Sequence, residues 1–192
     1  MRKMRIVKQV GCAILAGALV IGQIFGSGAS LITAKAAESW VDTQKITNGD
    51  FETGDSSEWA LESGSGAELE VKNGGSNVNS TYYLNIWASD QADVSIKQTV
   101  SSVSAGTYKL GFDVEGDAQD TGLTVSVAGT EESVGVTSGW DVWTTHETKE
   151  FVIEDTTDVE ITFTGNLAKG YWGKLDNIKL YKLTDDSDGV EP

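Results

Sequence analysis

A chain of 192 residues with 29 acidic against 14 basic side chains carries a formal charge of −15, a field that makes nucleic acid and anionic membrane surfaces poor partners. Its single cysteine rules out an internal disulfide framework and a thiolate metal site, so stability has to come from packing or a hard cation. Neutral polymers are not repelled by this charge and Ca²⁺ is attracted, although solubility alone accounts for most of the acidity.

Arg2, Lys3, Arg5 and Lys8 precede an apolar stretch from about Val10 to Phe25, and Ala34-Lys35-Ala36 supplies an A-x-A cleavage site. That order predicts a bacterial secretory signal peptide over residues 1–36, and hence a secreted protein with no membrane association after cleavage. A retained anchor is disfavoured because Gln23, Gly26 and Ser27 interrupt the stretch before the ~20 apolar residues a spanning helix needs. Cys12 does not read as a lipidation site, because Gln9 stands where an aliphatic residue is required. The leader holds five of the basic residues and no acid, leaving 9 basic against 29 acidic groups, a charge of −20, with no arginine or cysteine in the remainder.

Beyond the leader the hydrophobic period is two, and turn signals recur at short intervals. Strands are expected near 44–47, 59–62, 67–72 and 82–87, where Tyr82, Leu84 and Ile86 alternate with Tyr83, Asn85 and Trp87. Further strands are expected near 93–100, 108–114, 123–127, 133–136, 149–153, 159–163 and 175–182. Gly54-Asp55, Gly64-Ser65-Gly66, Asn73-Gly74-Gly75, Ala105-Gly106 and Gly129-Thr130 mark reversals. About nine to eleven short strands without helix predict an all-β fold, a two-sheet antiparallel β-sandwich of jelly-roll type spanning 37–183. Residues 184–192, acidic and ending in the only proline, are expected to be a linker leading towards a further domain.

Catalytic motifs are absent: there is no Gly-x-Ser-x-Gly, phosphate loop or His-Glu-x-x-His. Glu115-Gly116-Asp117-Ala118-Gln119-Asp120 resembles the acidic cluster of laminarinase-type jelly-roll hydrolases. Gly116 and the missing alternation place that cluster in a loop, which weakens the enzymatic alternative. His146, the only histidine, is expected at the surface, and Asn79-Ser80-Thr81 is a glycosylation sequon short enough to arise by chance.

Asn48-Gly49-Asp50-Phe51-Glu52-Thr53-Gly54 with Trp59, Gln98-Thr99-Val100, Gly106 to Leu110, and Gly170-Tyr171-Trp172-Gly173 through Leu180 resemble the galactose-binding-like carbohydrate-binding modules of the family 4/9/22 type. The loop around Trp172 is most similar to family 61, the β-1,4-galactan-binding modules attached to family 53 endo-β-1,4-galactanases. The resemblance covers about residues 40–183 and implies a non-catalytic, monomeric N-terminal module that binds β-1,4-galactan or a related neutral polysaccharide. A cell-surface adhesion or structural sandwich is the alternative from another class.

Asp176 shares its period-two phase with Ile178 and Leu180, so its carboxylate is expected on the core side, where an unpaired charge is costly. Structural Ca²⁺ bound by Asp176, Glu52 and carbonyl oxygens of Gly49 and Asp50 would resolve this, and the resemblance implies the same site. Otherwise Glu52 and Asp176 bond to turn amides or face solvent.

A sugar packs its C–H face on an aromatic ring and offers its hydroxyls to amides and carboxylates. In galactose the axial 4-hydroxyl clears one face, leaving an apolar strip from C3 to C6. Trp59 and Trp143 lie in apolar strand patterns and are expected in the core, whereas Trp40 suits either role. Trp87, which shares a face with Tyr83 and Asn85, and Trp172 between glycines are the candidate platforms. Trp140, expected in a loop after Ser138-Gly139, is either platform or core. Tyr171, Asp90 and Lys174 complete the candidate ligand set.

Overall fold

The computed structural model describes residues 38–74, 80–117 and 119–185. The expected leader, the tail beyond 185 and Asn79 of the sequon lie outside the described residues. The described residues form twelve strands: β1 (Glu38–Asp42), β2 (Ala60–Ser63), β3 (Ala67–Asn73), β4 (Tyr82–Ala88), β5 (Ala92–Val103), β6 (Gly106–Gly116), β7 (Leu123–Val127), β8 (Thr130–Ser133), β9 (Gly139–Glu147), β10 (Phe151–Ile153), β11 (Thr157–Leu167) and β12 (Trp172–Asp185). No helix among the described residues is long and apolar enough to cross a membrane.

One sheet runs β10-β6-β12-β4-β3, with β9 also on β6 and β1 on the late half of β12. The other runs β2-β5-β11-β7-β8, and all pairings in both are antiparallel. This is the jelly-roll sandwich that the alternation predicts. Leu84 and Ile86 of β4, Leu110, Phe112 and Val114 of β6, and Leu175, Ile178 and Leu180 of β12 meet Ile96, Ile161, Phe163 and Val125 from the second sheet in one core. Each such side chain contributes roughly 1.5–3 kcal/mol when fully buried.

Several strand boundaries differ from expectation. Residues 44–47 form no strand; the pairing falls instead on β1, while Ile46 packs on the core from a turn. The strand expected at 133–136 is β8 at 130–133. β9 extends the strand pattern expected around Trp143 to residues 139–147 and takes in Trp140, which was expected in a loop.

The segment after β1 ties the two sequence motifs together. Gly49 accepts the Ile178 amide at 2.8 Å, and a Cβ on Gly49 would stand 2.2 Å from the Ile178 carbonyl oxygen, so only glycine permits the approach. Phe51 is fully buried and its ring centroid lies 5.9 Å from that of Trp59, whose Nε1 donates to the Asn48 carbonyl at 2.9 Å. Gln98 of β5, itself buried, fastens the turn from below by accepting the Thr47 amide at 3.0 Å and donating to the Thr47 carbonyl at 2.8 Å. The Asn-Gly-Asp-Phe run thus packs as a plug against both sheets.

Candidate functional site

Strand alternation sets the outer face of the first sheet. With Leu84 and Ile86 inward, Tyr83, Asn85 and Trp87 point outward together, as the sequence predicts. Antiparallel register then builds cross-strand rows. Glu68, Trp87 and Trp172 form one row over β3, β4 and β12. Glu70, Asn85, Lys174 and Glu115 form the next, over β3, β4, β12 and β6. Trp140 closes over Trp172 from β9, with ring centroids 5.4 Å apart and planes inclined at 56°. Trp140 is 70% exposed and Trp87 42% exposed, values that are high for residues of this size in a packed fold and leave ring faces open to solvent.

Beneath these rings lies a buried ion pair. The Lys174 ammonium donates to both Glu115 oxygens, at 3.1 and 3.0 Å, with the two side chains 7% and 0% exposed. Glu115 Oε1 also accepts the Asp141 amide at 3.0 Å, which fixes the backbone next to Trp140. The same ammonium lies 4.8 Å from the ring centroids of Tyr83 and Trp140 and 5.7 Å from that of Trp143. Cation–π attraction of about 0.5–2 kcal/mol per good contact holds such rings in place. Lys174 therefore acts as a pillar under the aromatic surface.

The structure brings Trp87, Trp172, Trp140, Tyr83, Asn85 and Lys174 to one face, and it separates the other two candidates. Tyr171 turns away from Trp172: it packs on the core and lines a rim cavity of about 220 Å³ with Asp117, Asp120 and Asn166. Burial, reinforced by the charge of Asp120, pushes its phenol well above the ordinary range. Asp90 is exposed on the turn after β4, 3.9 Å from Lys169, with Oδ1 accepting the Gln91 amide.

Two site residues escaped the sequence reading. Trp143, expected in the core, stands on the outer face with its ring 6.3 Å from Tyr83 in an edge-on arrangement. Glu115, expected in a loop, lies in β6 opposite Lys174. A lysine between Gly173 and Leu175 in an apolar strand requires an acidic partner, and that was the available signal. Trp40, left open by the sequence, is part-exposed in β1 with Lys109 4.7 Å from its ring. Trp59 is core, 5% exposed.

Asp176 does not point with Ile178 and Leu180. Asn177 adopts φ 50° at a register shift between Asp176 and Lys179, and this β-bulge reverses the phase, so Leu175 and Ile178 both face inward. Asp176 lies on the outer side, paired across the strands with Asp113, yet it is fully buried and its Oδ1 accepts the Asn177 amide at 2.7 Å.

Glu52 Oε1 accepts three donors: the Thr81 amide at 2.6 Å, the Tyr82 amide at 2.8 Å and the Ser80 hydroxyl at 3.1 Å. The Tyr82 and Thr81 amides hold its carboxyl below the usual carboxylate range. Among the described residues no three His, Cys, Asp or Glu side chains converge on one point. Calcium at this turn would therefore rest on at most two carboxylates, with carbonyl oxygens completing the shell.

His146 is not a surface residue. It is part-buried in β9, stacked on Phe112 with centroids 5.8 Å apart and planes at 12°, and its Nε2 is buried without a hydrogen-bond partner.

Comparison with known proteins gives the fold its context. No family model matches the chain, and no curated protein sequence matches it. Among solved structures it is similar to TmCBM61 in complex with beta-1,4-galactotriose, at 28% identity and TM-score 0.58 over 72% of this chain and 97% of that one. It is also similar to a family 16 carbohydrate binding module, at 20% identity and TM-score 0.55 over 71% and 99% of the two chains. The enzymatically active domain of tailspike protein 4 from bacteriophage CBA120 matches at 16% identity and TM-score 0.56, over 73% of this chain and 21% of that one. The module neighbours share the β-sandwich, and carbohydrate-binding modules recur among them.

Proposed function

We propose that this chain is a non-catalytic carbohydrate-binding module for β-1,4-galactan. The observation that carries this is the cluster of exposed Trp87 and Trp140 with part-buried Trp172, standing above the buried Lys174–Glu115 pair. Three large rings offer stacking faces for a polymer's sugar residues, and Asn85 supplies an amide in the adjacent row. Galactan is favoured over other neutral glycans by the Gly-Tyr-Trp-Gly loop and by the likeness to a module bound to beta-1,4-galactotriose.

In this reading the chain is secreted and monomeric, and it tethers an appended endo-β-1,4-galactanase to plant cell-wall polysaccharide by raising its effective concentration there. Calcium at the Glu52 and Asp176 end is part of the proposal, with a structural role. A hydrolytic role needs two carboxylates facing each other across the bound sugar. Glu115 does not suit that role, because Lys174 and the Asp141 amide occupy its oxygens.

Affinity electrophoresis against galactan, xylan, β-glucan and mannan tests this directly. Retardation by galactan alone is expected, with no reducing sugar released. Equal mobility in all four gels overturns the binding reading, and retardation by a different polymer moves the specificity.

A further inference from the structure

Well along β12 from the tryptophans, the same outer face carries a depression of about 290 Å³ lined by Asp113, Thr145, Glu147, Asn177, Lys179 and Tyr181. Its floor depends on a glycine in the interior of β6. A Cβ on Gly111 would stand 2.8 Å from the Tyr181 ring, so the missing side chain is what lets that ring lie across the sheet. Glycine in a strand interior weakens the strand and marks a place where something approaches closely; here the Tyr181 ring makes the approach.

The polar wall is held in advance. Asp113 accepts the Thr145 hydroxyl at 2.6 Å through Oδ1 and the Asn177 side-chain amide at 2.9 Å through Oδ2. Asn177 is free to face outward because of the bulge that reverses the strand phase. On the far side Lys109 bonds Glu147 at 2.7 Å and lies 5.9 Å from the Tyr181 ring centroid and 4.7 Å from that of Trp40. An aromatic ring, a carboxylate, an amide and a hydroxyl around one depression form the donor set that a single neutral sugar residue uses.

We propose that this depression is a second carbohydrate site, taking one sugar residue of the same neutral polysaccharide against Tyr181. This rests on the proposed function above. From Trp172 to Tyr181 the strand advances by eight or nine residues, roughly 25–30 Å at about 3.3 Å per residue, so a trisaccharide occupies one site at a time while a polymer can reach both. Occupying both through one polymer raises the overall affinity beyond either contact alone.

The test uses β-1,4-galactotriose and long β-1,4-galactan with the wild type, Tyr181→Ala, Gly111→Ala and Trp87→Ala, each checked for fold by circular dichroism. Native mass spectrometry should find two galactotriose molecules on the wild type at saturation and one on Tyr181→Ala. Polymer affinity should fall by about tenfold or more in Tyr181→Ala. Gly111→Ala should do the same, since its methyl displaces the ring without removing it. A wild type that saturates at one trisaccharide, or wild-type polymer affinity in both the Tyr181 and Gly111 variants, overturns the second site. If Trp87→Ala alone loses binding, the primary reading stands without the second site; if only the Tyr181 and Gly111 variants lose it, the tryptophan face fails and this site stands. No binding of either ligand by the wild type sinks both.

Discussion

Lys174 and Glu115, 59 residues apart in sequence, meet as a two-pronged ion pair under the aromatic face. Removing one partner leaves the other charge buried and uncompensated, which typically costs about 3–5 kcal/mol. Lys174→Met alone should lower stability by that order in urea denaturation, and Glu115→Gln should do so to a smaller degree because an amide still accepts a hydrogen bond. The double change Lys174→Met with Glu115→Leu should recover much of the loss, since an apolar pair has no charge to strand. Recovery of stability without recovery of sugar affinity would show that the pair positions Trp140 and Tyr83.

His146 gives the fold a sensitivity to mild acid. Burial holds its imidazole below the ordinary value of 6.5, with the nearby Asp113 charge acting the other way. The folded state thus prefers neutral imidazole, and the unfolded chain binds more protons just below that ordinary value. The resulting stability is full above about pH 6.5 and declines as pH falls through the lowered folded value. Melting temperature should therefore drop between pH 7 and pH 5.5, and His146→Phe should flatten that segment while keeping the ring stacked on Phe112. Glu52 acts in a separate window: its lowered carboxyl contributes stability above 4.5 that is lost at lower pH, so His146→Phe should leave the decline below pH 4.5 intact.

The sequence made the centre of the sandwich legible because the large apolar residues of β4, β6, β7 and β11 recur at every second position and all fall in the core. In β9, Trp140-Asp141-Val142-Trp143 carries large apolar residues on an edge strand with Asp141 at φ 60°, so the strand pattern around Trp143 does not carry back to Trp140 in the sequence. The outward turn of Asp176 was hidden for a different reason. One extra residue at Asn177 reverses every side chain beyond it, and asparagine's tolerance of positive φ was the only local hint. The tryptophan face was half visible: Trp87, Tyr83 and Asn85 follow from local phase, whereas Trp143 and Glu115 join them through long-range register.

The calcium proposal separates from its alternative by chelation. A cation bound only by the folded chain stabilises it by mass action, so metal-free protein should melt lower and regain its melting temperature on adding Ca²⁺. Asp176→Ala should abolish that response. The alternative, in which the Tyr82, Thr81 and Ser80 donors alone satisfy Glu52, predicts superimposable melting curves with and without chelator. In that case Glu52→Gln should destabilise the turn by about 1 kcal/mol through the weaker amide acceptor.

The tryptophan face makes the most direct prediction. Trp87 and Trp172 stand opposite each other on β4 and β12, and Trp140 leans over Trp172, so a polysaccharide crossing the strands meets the rings in sequence. Losing one stacking platform should cost on the order of 1 to 3 kcal/mol of binding, which is roughly a ten- to hundredfold weaker affinity. Calorimetric titration of β-1,4-galacto-oligosaccharides into the wild type, Trp87→Ala and Trp172→Ala should show losses of that size with the fold intact. Trp140→Ala should lose affinity as well, because its ring is the most exposed of the three. Added salt should change little, since a neutral sugar on an apolar ring offers no ion pair to screen. Folded variants that bind as tightly as the wild type would move the site off this face.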